Sequence, residues 1–328
     1  MRRGRALTRR RVAAAAAIAI VAASCSSDPQ APGGGGNDGT AQLTAEVASF
    51  DLAAGTPGRF IVGASLFDSS GQLAVTGGSV DLSFSFLGQG QATGSEPYRD
   101  ATATFLPIPG AAGPFEDQPV AESASSGRGV YSVSEFEFDR AGFWEVEVSA
   151  DVRDRGSMTA TAAFEVLPEP LVPAVGDPAP RAENLTIDTK DAPEEAVDSR
   201  AATGGIPDEE LHRTTVAEAI RAGHPALVVV ATPVYCVSKF CGPVTDMVQE
   251  LAADYGDRAE FIHIEVWRDF QGQVVNKAAA DWILREDSLL EPWVFLVGAD
   301  GRVAARWDNV ATRQEIEPLL QDLPPLGG

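Results

Sequence analysis

The chain has 328 residues, 44% of them hydrophobic, with 25 basic and 47 acidic residues and a net charge of −22. That length is enough for about two domains with real cores. A surface this acidic makes nucleic acid and anionic lipid poor partners on long-range electrostatics, and the spread of the acids along the chain marks no particular cation site.

Residues 1–11 carry six arginines and no acid, and Val12 to Ala23 is a short apolar run ending in Ala22-Ala23-Ser24-Cys25. A basic start, a short apolar stretch and small residues at the cut read as a secretory signal over 1–24. The run is too short to span a bilayer comfortably. Without the six arginines, 19 basic residues face 47 acidic ones, a net charge of −28. A cysteine directly after such a cut resembles the bacterial lipobox, with Ala22 where leucine is usual. The resemblance implies lipidation of Cys25 and anchoring to the outer face of the cytoplasmic membrane. Thr8-Arg9-Arg10-Arg11 is also similar to a twin-arginine export signal. The plainer alternative is a cleaved signal with Cys25 an ordinary residue. Export is disulfide-permissive, and it leaves Cys236 and Cys241 as the internal pair among three cysteines.

Residues 25–42 are rich in Gly, Pro, Ser and Asp and read as a flexible tether. From 43 to 168 the pattern is β. Phe60 to Phe67, Val80 to Phe86, Ala101 to Phe105, Tyr131 to Phe138, Trp144 to Val148 and Ala160 to Val166 mostly alternate apolar with polar. Period two means one buried and one wet face, and short strands at this spacing indicate an antiparallel sandwich. The corner Phe138-Asp-Arg-Ala-Gly-Phe-Trp resembles that of secreted immunoglobulin-like modules. The segment has no histidine and a single methionine, Met158, so a histidine–methionine copper site is not expected in it.

Residues 169–202, rich in Pro, Ala, Asp and Glu, read as a linker leading into a second domain at 203–324. Thr215-Val-Ala-Glu218 is a capping box, with Gly223 placed to end the helix. Ala226 to Ala231 is a continuous apolar run, as in a strand buried on both faces. Val244, Met247, Val248 and Leu251 follow helical spacing. Phe261 to Val266 is a strand, Val274 to Leu284 a helix, Trp293 to Val297 and Arg302 to Trp307 a hairpin turned by Ala299-Asp-Gly301, and Thr312 to Leu323 a closing helix. Strands alternating with helices imply an α/β sheet covered on both faces.

The stretch from the strand through Thr232-Pro-Val-Tyr-Cys236-Val-Ser-Lys-Phe-Cys241-Gly-Pro243 places two sulfurs at a helix start, where the helix dipole favours a thiolate. With Glu291-Pro292 before a strand and the final hairpin and helix, this half resembles the thioredoxin fold. It is similar to thioredoxin-like lipoproteins of high-GC Gram-positive bacteria, and Val175-Gly-Asp-Pro-Ala-Pro180 is similar to the opening of thioredoxin-like and peroxiredoxin-like domains. The expected fold class is two domains, an all-β immunoglobulin-like sandwich followed by an α/β thioredoxin-like fold. The resemblance implies a cis-proline at Pro292 packed on the cysteines, a substrate groove shaped by Tyr235, Glu291 and Pro292, and thiol–disulfide exchange on exported protein thiols or disulfides.

The pattern departs from the family's in three places. Four residues separate Cys236 from Cys241 where the family has two. The buried acid that assists proton transfer would fall near Val229. Glu291 precedes the proline where a neutral residue is usual, and a carboxylate there would raise thiol pKa values while Lys239 lowers them. In the redox reading Cys236 attacks and Cys241 resolves. In the competing reading the pair only closes a six-residue loop, worth roughly 2 kcal/mol, and the sandwich recruits a partner. Two thiolates could also hold copper(I), but no third ligand is apparent. His263, inside a strand, reads as a core histidine, and His212 and His224 as surface residues. No cofactor and no metal are expected.

Overall fold

The computed structural model describes residues 41–327, except 70, 91–93, 112, 124–128, 239 and 286–287. The signal, Cys25 and nearly all of the tether lie outside the described residues, as does Lys239. Residues 39–328 group as one compact unit. Among the described residues no helix is long and apolar enough to cross a membrane.

The first part is a large antiparallel sheet of β1 (Gln42–Val47), β2 (Gly58–Asp68), β3 (Gly71–Thr76), β4 (Ser79–Gly88), β5 (Glu96–Pro107), β6 (Val120–Ser123), β7 (Gly129–Phe136), β8 (Gly142–Val152) and β9 (Gly156–Val166). The order is β6-β3-β2-β7-β5-β4-β8-β9, with β1 on the other edge of β2. β2 changes neighbour along its length. Gly58 to Val62 pair with β7, and Ser65 to Asp68 pair with β3. A strand shared in this way turns a sheet through a corner. The sheet therefore closes over its own apolar face. Phe60 on β2 and Phe164 on β9, five strands apart in the order, lie 5.3 Å apart between ring centroids, with Phe84, Phe136 and Phe138 in the same cluster. The six expected strands are present, and β1, β3 and β6 add to them.

The 138–144 corner depends on Gly142. Its φ is 134°, and a Cβ there would sit 2.6 Å from the Gly88 carbonyl oxygen. Only glycine tolerates both conditions.

After β9 the chain runs along the second part instead of hanging free. Val172, Ala179 and Ala182 are buried in the second core, and a helical turn, α1 (Glu194–Val197), follows. The α/β region comprises α2 (Val216–Ala222), β10 (Ala226–Ala231), α3 (Cys241–Tyr255), β11 (Glu260–Glu265), the hairpin β12 (Trp267–Asp269) and β13 (Val274–Val275), α4 (Lys277–Ile283), the hairpin β14 (Leu284–Arg285) and β15 (Ser288–Leu289), then β16 (Trp293–Val297), β17 (Val303–Asp308) and α5 (Arg313–Gln321). The sheet order is β11-β10-β16-β17, with β10 parallel to β11 and antiparallel to β16.

Sequence accounts for most of these elements. The Thr215–Glu218 capping box starts α2, and Gly223 at φ 73° ends it. Every residue of β10 is fully buried because both faces are covered. Val228 and Val230 pack with Trp282 and Phe295, while Leu227 and Val229 pack with Val244, Leu251 and Ile316. α4 begins three residues later than expected, because Val274 and Val275 pair with β12.

The two parts meet through a buried polar contact. Arg59 of β2 reaches Asp308 at the end of β17 and Glu315 of α5, at 3.2 and 2.9 Å. Beside it Ile61, Ile108 and Val130 of the large sheet region pack with Val310, and Phe240 of the cysteine loop packs on that cluster.

Candidate functional site

β10 delivers the chain to the cysteine loop and α3 takes it away. Cys241 is the first residue of α3 and is fully buried, with Leu227, Val229 and Val244 in the same core. Its carbonyl accepts from the Thr245 hydroxyl at 2.9 Å. Cys236 is only partly buried. The two are disulfide-bonded, with Cα atoms 6.1 Å apart. The loop exposes apolar side chains on either side of Cys236, Val237 at 96% and Val234 at 53%. Four residues separate the cysteines, and the last of them, Phe240, packs on the large-sheet cluster.

Glu291 and Pro292 enter from the turn before β16, joined by a cis peptide bond. Glu291 Oε2 accepts the Thr232 backbone N–H at 2.6 Å. Its carboxyl and both cysteine sulfurs lie within 4.8 Å of one another. Burial pushes the Glu291 carboxyl up to about 8, helped by nearby Glu265 and opposed by the Thr232 N–H and His263. At neutral pH the group is therefore mostly a carboxylic acid, and its expected repulsion of a thiolate is largely relieved. Val229, where the family's acid would fall, lies in the apolar core. The carboxyl beside the sulfurs is that of Glu291, in the turn before β16, the strand next to β10.

Tyr235 stacks on Phe270 with centroids 4.0 Å apart and planes at 2°. The pair lines a surface groove with Pro193, Trp267 and Val274. Tyr235, Cys236, Cys241, Glu291 and Pro292 thus lie along the disulfide loop and the turn before β16. Oxidised to a disulfide, the cysteines offer no thiolate to a metal.

Sequence reasoning missed a second buried cluster beneath this loop. Asp198, Asp208, His212 and His263 are all fully buried. His212 was expected at the surface and is instead at 0% exposure, because the 3₁₀ turn Glu209–His212 packs inward with Leu211. His263 is a core histidine as expected, and its Nε2–H donates to the Ala231 carbonyl at 3.0 Å. Burial pushes the Asp198 carboxyl up, but the neighbouring imidazoles and the Arg200 guanidinium outweigh it and hold it well below the usual range. Arg200 also contacts Asp208. Ser199 links the two clusters. Its backbone N–H donates to Glu265 Oε2 at 2.8 Å, and its hydroxyl accepts from the Val234 N–H at 3.2 Å. The available sequence signals were Asp208 and His212 four residues apart and the scarcity of histidine, three in the chain.

A scan against protein-family models finds no match to this chain, and no curated protein matches it.

Proposed function

We propose that this is a lipid-anchored extracytoplasmic protein, with an immunoglobulin-like sandwich followed by a variant thioredoxin-like domain, that carries out thiol–disulfide exchange on exported proteins. The observation that supports this most is the asymmetry of the pair. Cys236 is only partly buried, on a loop with exposed Val234 and Val237, while Cys241 is fully buried at the helix start with the Glu291 carboxyl nearby. Exposed valines next to a reactive sulfur suit unfolded polypeptide segments, which carry apolar side chains. The large antiparallel sheet with its closed aromatic core is compatible with an immunoglobulin-like module.

In the oxidising direction a substrate thiolate attacks Cys236 Sγ. The Cys236–Cys241 bond breaks, its electron pair leaves on Cys241, and the neutral Glu291 carboxyl supplies the proton. A second substrate thiolate attacks the substrate sulfur of the mixed disulfide and expels Cys236 as thiolate. The substrate is then disulfide-bonded, and the protein pair holds two more electrons. Run in reverse, Cys236 is the attacking thiolate and Cys241 resolves. Tyr235 and Pro292 border the path of the substrate segment.

The trapping test is direct. Cys241→Ser should accumulate a mixed disulfide through Cys236 with a model substrate, and Cys236→Ser should not. A potential below about −300 mV with negligible exchange marks a structural bridge and would overturn the reading. The contact of Phe240 with the large sheet favours that second reading, in which the disulfide fixes a loop of a non-catalytic binding module.

A further inference from the structure

The cluster beneath the cysteine loop poses a chemical problem. His263 Nε2–H donates to the Ala231 carbonyl, so in a neutral ring Nδ1 carries a lone pair. That nitrogen faces Asp198 Oδ2 at 3.2 Å. A carboxylate only accepts, so two acceptors face each other unless a proton or a cation lies between them. His212 Nε2 is held likewise between Asp198 Oδ2 at 3.4 Å and Asp208 Oδ1 at 3.3 Å. Among these atoms Asp208 Oδ1, His212 Nε2 and His263 Nδ1 have no hydrogen-bond partner, and their residues are fully buried.

A proton fits this geometry poorly. N–H···O bonds run from about 2.7 to 3.2 Å; the two His212 contacts, at 3.3 and 3.4 Å, lie beyond that range, and the His263 contact, at its 3.2 Å limit, makes no hydrogen bond. Ligand bonds of about 2.0–2.1 Å to zinc give a tetrahedron with edges of about 3.3–3.4 Å. The observed separations match those edges, and one atom from each of the four residues falls within 4.8 Å of all the others.

We infer that Asp198, Asp208, His212 and His263 form a structural zinc site, with His212 Nε2, His263 Nδ1, Asp198 Oδ2 and Asp208 Oδ1 as ligands. Two imidazoles and two carboxylates are a donor set that zinc accepts, and four protein ligands make a closed site of the structural kind. The surrounding groups suit it. The Ala231 carbonyl orients His263. Arg200 engages Asp208 Oδ2 and leaves Oδ1 turned to the cluster, and it also donates to Asp198 Oδ2 at 2.6 Å, so that oxygen would be shared between the guanidinium and the ion. Asp198 and Asp208 oppose one buried-side guanidinium, so a cation also offsets excess negative charge. The ion would tie residues 198–212 to β11, directly under the Ala231–Thr232 peptide that His263 and Glu291 grip from two sides.

The test is metal stoichiometry on the full chain with its disulfide intact, stripped with chelator, equilibrated with zinc alone and desalted. About one zinc per chain is expected. Asp208→Asn and His212→Gln should lose it, and the Cys236→Ser/Cys241→Ser double variant should keep it. Because a ligand variant can misfold, cobalt(II) is loaded into the wild-type chain as well. The expected spectrum is that of tetrahedral cobalt without a thiolate charge-transfer band. No stoichiometric zinc, zinc kept by both ligand variants, or an octahedral or thiolate-ligated cobalt spectrum would each overturn the assignment.

Discussion

Glu291→Gln separates the charge of this side chain from its shape. Glutamine keeps an oxygen to accept the Thr232 N–H but does not ionise. The folded carboxyl titrates at about 8 because burial opposes its charge, against about 4.3 for an ordinary glutamate. The folded state therefore binds this proton more tightly than the unfolded chain. Its contribution is intact below the unfolded pKa and is lost as pH rises through the folded one. Between the two, wild type loses about 1.4 kcal/mol per pH unit relative to the variant, or about 4 kcal/mol by pH 7 and about 5 kcal/mol above pH 8, before water reaching the partly buried carboxyl reduces it. The other charged groups facing Glu291, Glu265 and His263, are the same in both proteins, so the difference isolates residue 291. Urea unfolding of both proteins with the disulfide intact, at pH 5, 7 and 9, measures it. The variant should exceed wild type by only about 1 kcal/mol at pH 5 and by increasingly more toward pH 9. Parallel profiles would refute the buried-acid argument, and with it the proton donor for Cys241. In exchange kinetics, a rate inflection near pH 8 should disappear in the variant.

Arg59→Met removes the buried cation between the two parts and strands Asp308 and Glu315. With Arg59 and Asp308 side chains only 6% and 9% exposed, a loss of about 3–5 kcal/mol is expected, read as a lower urea midpoint. An unchanged midpoint would mean that the contact contributes nothing net. Gly142→Ala forces a Cβ to 2.6 Å from the Gly88 carbonyl at φ 134°. It should cost at least about 1–3 kcal/mol and lower the melting temperature, and wild-type stability in that variant would contradict the corner geometry.

Periodicity carried the fold. β10 was legible because six consecutive apolar residues leave no wet face, and α2 because a capping box and a C-terminal glycine bracket it. β3 and β6 escaped because they are short and lie at the sheet margin, where burial imposes little alternation. Residues 169–202 read as a linker on composition, yet a few small apolar residues there sufficed to dock the segment on a neighbouring core. His212 read as a surface residue because a 3₁₀ turn has no strong apolar signature, and nothing local reports that it faces inward.

The linear chain by itself determined most of the longer strands and helices, and that a carboxyl precedes Pro292, since each rests on neighbours a few residues apart. Only the tertiary structure decided the protonation of Glu291, the reach of Phe240 to the large sheet and the meeting of Asp198, Asp208, His212 and His263. Those depend on burial and on contacts that reach up to nearly two hundred positions along the chain, and a local pattern carries no record of either.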